Sequence, residues 1–285
     1  MRLNLIESNQ VDKLRPCVKP DSVVDSAPYF HLCRQWWFAV FTGTLGVIAG
    51  AGFLIYCAPS LSSIKGSIQA ALVTTYILYL LRRNLRLNTS GKHQDLRASL
   101  GPANWITLAR GGLIAILAGF MLQPWPGGSS GPGWTDWIPG AVYITAVAGD
   151  ALDGFIARTT ATQTQLGQLL DTRIDALGIL VACLLTINYG QLPDYYLSAG
   201  LAYYVLRFAV WLRSKTGRPC SAVRPRRGAR VMAGIQMVFL GIVLLPLFSP
   251  PLTHIAAVAI LIPFLAGFLL DWQMVSRHEK IVKVD

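Results

Sequence analysis

The sequence predicts an all-α, polytopic membrane protein. Three observations carry this: a mean hydropathy of +0.46 with 14% charged residues, apolar runs long enough for the roughly 20 residues a bilayer crossing takes, and basic residues gathered on alternate connections. A composition this apolar excludes an ordinary soluble domain.

Eight spans are expected, at about 36–56, 64–81, 103–123, 138–157, 167–188, 193–213, 229–248 and 252–272. The residues before the first span, 1–33, lack the apolar core of a cleaved signal peptide and read as a cytosolic tail. A basic connector is expected at 83–101 and a short cytosolic tail at 276–285.

Orientation follows from Lys and Arg. Arg82, Arg83, Arg86, Lys92 and Arg97 fall in one connection, and Lys215, Arg218, Arg224, Arg226 and Arg227 in another. Arg277, Lys280 and Lys283 share that side, while the opposite connections carry Lys65 alone. The positive-inside rule places both termini in the cytoplasm, at the plasma (inner) membrane in a bacterium. It also accounts for the net charge of +11 and the pI of about 9.7 without a nucleic-acid partner. Trp36, Trp37, Trp134, Trp137 and Trp272 fit interfacial belts.

Other signals are sparse. Five cysteines show no CxxC and no paired spacing, which gives no support to a zinc site or a disulfide framework. The Gly/Pro/Ser stretch at 124–133 reads as an outside loop.

The chemistry lies in four aspartates set within the apolar sequence. Asp150 and Asp153, three apart, close one span at its cytoplasmic end; Asp171 and Asp175, four apart, open the next after the polar link TTATQTQLG. Residues at these spacings share a helix face, so two antiparallel helices present four carboxylates at matching depth. One aspartate in mid-bilayer costs about 2.5–3.5 kcal/mol, less near an interface, and four repel one another. Pairing with Arg158 and Arg173 is the structural alternative; hard divalent cations such as Mg²⁺ or Mn²⁺ are the chemical one, and they point to a metal acting on a phosphate. Asp150, Asp153 and Asp171 are the first candidate ligands, Asp175 the fourth, and one or two ions would balance the charge. Gly154 and Gly167 allow a helix or ligand to approach the backbone closely.

The pattern Asp150-x2-Asp153-Gly154-x2-Ala157-Arg158-x8-Gly167-x3-Asp171-x3-Asp175 resembles the signature of the CDP-alcohol phosphatidyltransferases, with every position filled. Upstream, GPANWITLAR resembles the family's first-helix motif through Asn104, Thr107 and Arg110, with Ala103 where proline is usual. Downstream, Arg207, Arg230 and Gln236 fall where phosphatidylglycerophosphate synthases carry comparable residues, although Ala233 and Gly234 replace their usual threonines. The resemblance implies a six-helix catalytic membrane domain at 102–275, preceded by two extra transmembrane helices at 34–82.

It implies transfer of a phosphatidyl group from CDP-diacylglycerol to an alcohol, with release of CMP. Asp175 would be the general base. Gly154, Ala157 and Gly167 would pack against the nucleotide beside Arg158, with Asn104 and Thr107 near its phosphates. The basic 207–230 segment favours an anionic acceptor, glycerol 3-phosphate first, with Arg207 and Arg230 at helix ends and Arg173 between two aspartates as candidate contacts. A homodimer is the family default. Two rival readings are an intramembrane prenyltransferase, which would carry a second acidic motif, and a cation transporter, whose carboxylates would lie at the membrane midplane.

Overall fold

The computed structural model describes residues 26–57, 61–90, 95–122, 133–159, 163–216 and 227–276. Eight α-helices are found among them: α1 Ser26–Cys57, α2 Leu61–Asn84, α3 Gly101–Gly119, α4 Ile138–Thr159, α5 Gln165–Asn188, α6 Leu197–Lys215, α7 Arg227–Val243 and α8 Leu252–Ser276. Each corresponds to one expected span. Three stretches, Ala27–Phe53, Ser63–Leu87 and Leu252–Gln273, are long and apolar enough to cross a membrane by themselves. The helices between them include α3, α4 and α5, whose charged residues lower their hydropathy.

Outward faces are apolar: Phe41, Leu45 and Ile48 on α1, Ile68 and Leu72 on α2, Phe208 and Trp211 on α6, and Ile255 and Ile262 on α8 are all exposed. In water this would be an aggregating surface; against lipid it is the expected one. The protein is an integral membrane protein.

The start of α1 corrects the expected tail. Residues 26–33 are already helical, because Leu32 inserts fully buried among Leu81, Leu85, Leu100, Leu166 and Leu170. Residues 1–25, the loop 123–132 and the tail 277–285 lie outside the described residues. Of the aromatic belt, Trp37, Trp134 and Trp137 are exposed, but Trp36 turns inward. Its indole Nε1 donates to the Leu78 carbonyl at 2.9 Å while the Arg82 guanidinium lies 5.3 Å from its ring centre.

The basic connector is folded where it is described. A two-residue antiparallel pairing joins Thr89–Ser90 to Asp95–Leu96, and buried Asn88 donates to the carbonyls of Arg97 and Ser99 at 3.0 and 2.8 Å. The Leu100 amide donates to Gln35 Oε1 on α1 at 2.9 Å. Gly101 then takes a φ of +77°, which glycine adopts without strain, and Pro102 opens α3 where its missing N–H is harmless.

Helix α3 is the centre of the bundle, packing on α1, α2, α4 and α5. Two contacts set how closely. A Cβ at Gly66 on α2 would run into the Gly119 carbonyl oxygen of α3, and a Cβ at Gly149 on α4 would come within 2.8 Å of Cγ of Arg110. On the face of α3 away from Arg110, an apolar cavity of about 330 Å³ opens between α1, α2 and α3, walled by Gly43, Gly46, Trp105, Leu108 and Gly112 among others.

Candidate active site

Two local signals bring the four aspartates together. Helix α5 begins at an N-cap, Thr164, whose hydroxyl accepts the Gly167 amide at 3.0 Å. This fixes the first turn and, from it, the register of Asp171 and Asp175. Helix α4 ends with Asp150 and Asp153 in its last three turns.

Between the two pairs lies Arg110. Its Nη1 donates to Asp153 Oδ2 at 2.8 Å and to Asp171 Oδ1 at 2.9 Å. Its Nη2 lies 3.2 Å from Asp150 Oδ1 and also bonds Asp175 Oδ1. Each terminal nitrogen thus bridges one carboxylate of α4 and one of α5. The remaining donor, Nε, bonds the Ala146 carbonyl at 3.1 Å.

The cluster is sealed on one side and open on the other. The side chains of Arg110 and Asp153 are 5% and 6% exposed, against 37% for Asp150, 41% for Asp171 and 24% for Asp175. Thr107 completes the sealed side: its hydroxyl lies 2.8 Å from Asp153 Oδ2 and 3.0 Å from the Ala103 carbonyl, and the charged oxygen is the stronger acceptor. Asp153 is therefore a positioned anchor, while the other three carboxylates face a space that a ligand can enter.

Oxygens of Asp150, Asp153 and Asp171 lie within 4.8 Å of one another. Hard carboxylate oxygens converging at this range, with an open approach, are a donor set suited to Mg²⁺ or Mn²⁺. The residues present fit a divalent ion.

Other predicted residues divide. Asn104 is buried; its amide donates to the Leu100 carbonyl at 2.6 Å and lies 3.4 Å from the Thr164 hydroxyl. A Cβ at Gly167 would collide with its Oδ1, so this pair ties α3 to the start of α5. Among the described residues, the ion pairs of the four carboxylates run to Arg110, an arginine the structural alternative did not include. Arg207 lies beside Tyr203 on α6, its guanidinium carbon 5.9 Å from the ring centre. The side chains of Ala157, Arg158 and Arg230, with the basic loop 217–226, lie outside the described residues. Gln236 is fully buried on α7.

Sequence reasoning placed Arg110 in a motif but assigned it no role. The available signal was its position: an arginine amid the apolar run LARGGLIAILAG, one turn beyond Thr107, is too costly to leave without an acidic partner.

The chain matches the CDP-alcohol phosphatidyltransferase family over residues 100–269, more than half its length and including all four aspartates, and it belongs to that family. It is similar, more particularly, to the CDP-diacylglycerol--glycerol-3-phosphate 3-phosphatidyltransferase of Cereibacter sphaeroides, with 27% identity over 127 residues. Those residues are 44% of this chain and 56% of that protein, so the likeness spans little more than half of the relative. No solved structure matches the chain.

Proposed function

We propose that this protein transfers the phosphatidyl group of CDP-diacylglycerol to the hydroxyl of glycerol 3-phosphate and releases CMP. The observation that carries the reading is the convergence of Asp150, Asp153, Asp171 and Asp175, one sealed and three open, inside the stretch that matches the family. The acceptor rests on the printed activity of the Cereibacter relative and on the surplus of arginine and lysine between 207 and 230.

In this reaction the acceptor oxygen attacks the lipid-side phosphorus, the bond from that phosphorus to the CMP oxygen breaks, and CMP takes the electron pair. Asp175 accepts the acceptor's proton. Asp150, Asp153 and Asp171 would hold a divalent ion, which would supply positive charge to the diphosphate and to the oxygen on which charge develops. Thr107 keeps Asp153 oriented from behind. Gly154 and Ala157 leave backbone free for the nucleotide beside Arg158, while Gly167 gives its side-chain space to Asn104, which holds α3 and the start of α5 in register. Arg207, Arg230 and Arg173 are the assigned contacts to the acceptor phosphate. The active site and both termini face the cytoplasm, residues 34–82 form a helix pair added to the 102–275 catalytic unit, and two copies associate.

This reading is preferred to an intramembrane prenyltransferase or a cation transporter because the family match encloses the whole acidic cluster. Purified protein in detergent, given CDP-diacylglycerol and a panel of acceptors, tests it. CMP release is expected with glycerol 3-phosphate, abolished by chelator, restored by Mg²⁺ or Mn²⁺, and lost in Asp175→Asn. CMP release with serine alone would overturn the acceptor, and absence of CMP with every acceptor and metal would overturn the reaction.

A further inference from the structure

Four carboxylates and one guanidinium leave the cluster with a formal surplus of negative charge, held by a side chain that is itself buried. Two features separate Arg110 from an ordinary ion-pair partner. First, Nε is tied to the Ala146 carbonyl, a contact that depends on no carboxylate. Second, its terminal nitrogens reach all four aspartates together, including the three whose oxygens converge as a ligand set. A cation of one charge therefore lies among the groups that would surround a cation of two.

We propose that Arg110 is the built-in counter-cation of this site. Before metal enters, its guanidinium draws α4 and α5 together and offsets the repulsion of the aspartates, so the ligand oxygens are gathered in advance. When a divalent ion binds, Asp150 and Asp171 turn to it from Arg110 and Asp153 completes the ligand set, while the Ala146 carbonyl retains Arg110. The N–H groups released from the open carboxylates then face the space where the diphosphate arrives, and a guanidinium suits phosphate oxygens. The bare backbone of Gly149 lets the Arg110 side chain lie against α4, since a Cβ there would come within 2.8 Å of Cγ and 3.0 Å of Cδ. This inference rests on the metal reading given above, and it makes Arg110 a competitor of the metal as well as an organiser of its ligands.

The two roles are separated by titrating Mn²⁺ into chelator-stripped, detergent-purified wild type, Arg110→Gln and Arg110→Lys by calorimetry, with melting curves alongside. Removing a unit positive charge a few ångströms from the ion is expected to tighten Mn²⁺ binding by about tenfold in Arg110→Gln. The same variant melts lower than wild type without metal, and added Mn²⁺ raises its melting temperature by more than it raises that of wild type. Equal or weaker Mn²⁺ binding in Arg110→Gln, with wild type binding normally, overturns the inference and leaves the metal reading standing. Absence of Mn²⁺ binding in wild type overturns both. Should Arg110→Gln not fold, Arg110→Lys decides: its compact ammonium cannot span four carboxylates, so tighter binding than wild type is expected and equal or weaker binding overturns the inference.

Discussion

Thr107 and Arg110, one turn apart on α3, converge on a single oxygen, Oδ2 of Asp153, each at 2.8 Å. Both donors come from one helix and the acceptor from another, so the depth of Asp153 is set by α3 before any ligand binds.

Thr107→Val keeps the side-chain shape and removes one of these donors. A hydrogen bond to a buried charged group contributes about 1.5–3 kcal/mol, so the variant is expected to lose stability at the low end of that range, since Arg110 remains. Thermal melting checks this. CMP release should fall as well, because the anchor of the ligand set is loosened.

Asp153→Asn and Asp171→Asn should differ in stability though both remove one carboxylate. Asp153 is sealed with two donors upon it, and losing its charge there is expected to cost about 2–3 kcal/mol. Asp171 is 41% exposed; relief of repulsion among the aspartates offsets its lost bond, leaving the change within about 1 kcal/mol. Denaturation of the metal-free proteins distinguishes the two, and both should lose CMP release.

Gly167→Ala is expected to destabilise by about 1–3 kcal/mol, since the added methyl collides with Asn104 Oδ1. In an Asn104→Ala background the collision is absent, and the cost of Gly167→Ala should shrink. Melting of the four proteins in a double-mutant cycle measures this coupling. An equal cost in both backgrounds would place the penalty elsewhere.

Gly149→Ala pushes against Arg110 from α4, with the new carbon 2.8 Å from Cγ and 3.0 Å from Cδ. The expected outcome is lower melting in metal-free protein and weaker CMP release, both arising from displacement of the guanidinium. Gly112→Ala, on the same helix as Arg110 with no atom within 4 Å of an added Cβ, should change neither.

The legible part of the structure was whatever leaves a pattern in chain order. Apolar runs mark the eight helices, and the three- and four-residue spacings of the aspartates put each pair on one helix face. The partner of those pairs was harder to see, because Arg110 meets Asp150 and Asp175 from 40 and 65 residues away and no local period links them. The alternative drawn from proximity named Arg158 and Arg173, chain neighbours of the aspartates; the ion pairs among the described residues come from a third helix, and the Arg158 side chain lies outside those residues. Likewise Trp36 reads as an interfacial residue by composition, but a hydrogen bond to Leu78 across 42 residues turns it inward. The early start of α1 was hidden for the same reason: Leu32 is buried against Leu81 of α2, Leu100 at the entry to α3, and Leu166 and Leu170 of α5, all distant in the chain.

The close approach of Gly66 to the Gly119 carbonyl has a bearing on how this molecule can be recombined. The family match begins at residue 100, which invites the view that α1 and α2 are a detachable prefix. Yet α2 presses a bare backbone against the far end of α3, and α3 is the helix that bears Arg110. A relative's six helices grafted behind α1 and α2 would need the same small-residue seam at that crossing, so compatibility between prefix and catalytic unit would be decided by one glycine contact on the helix opposite the chemistry.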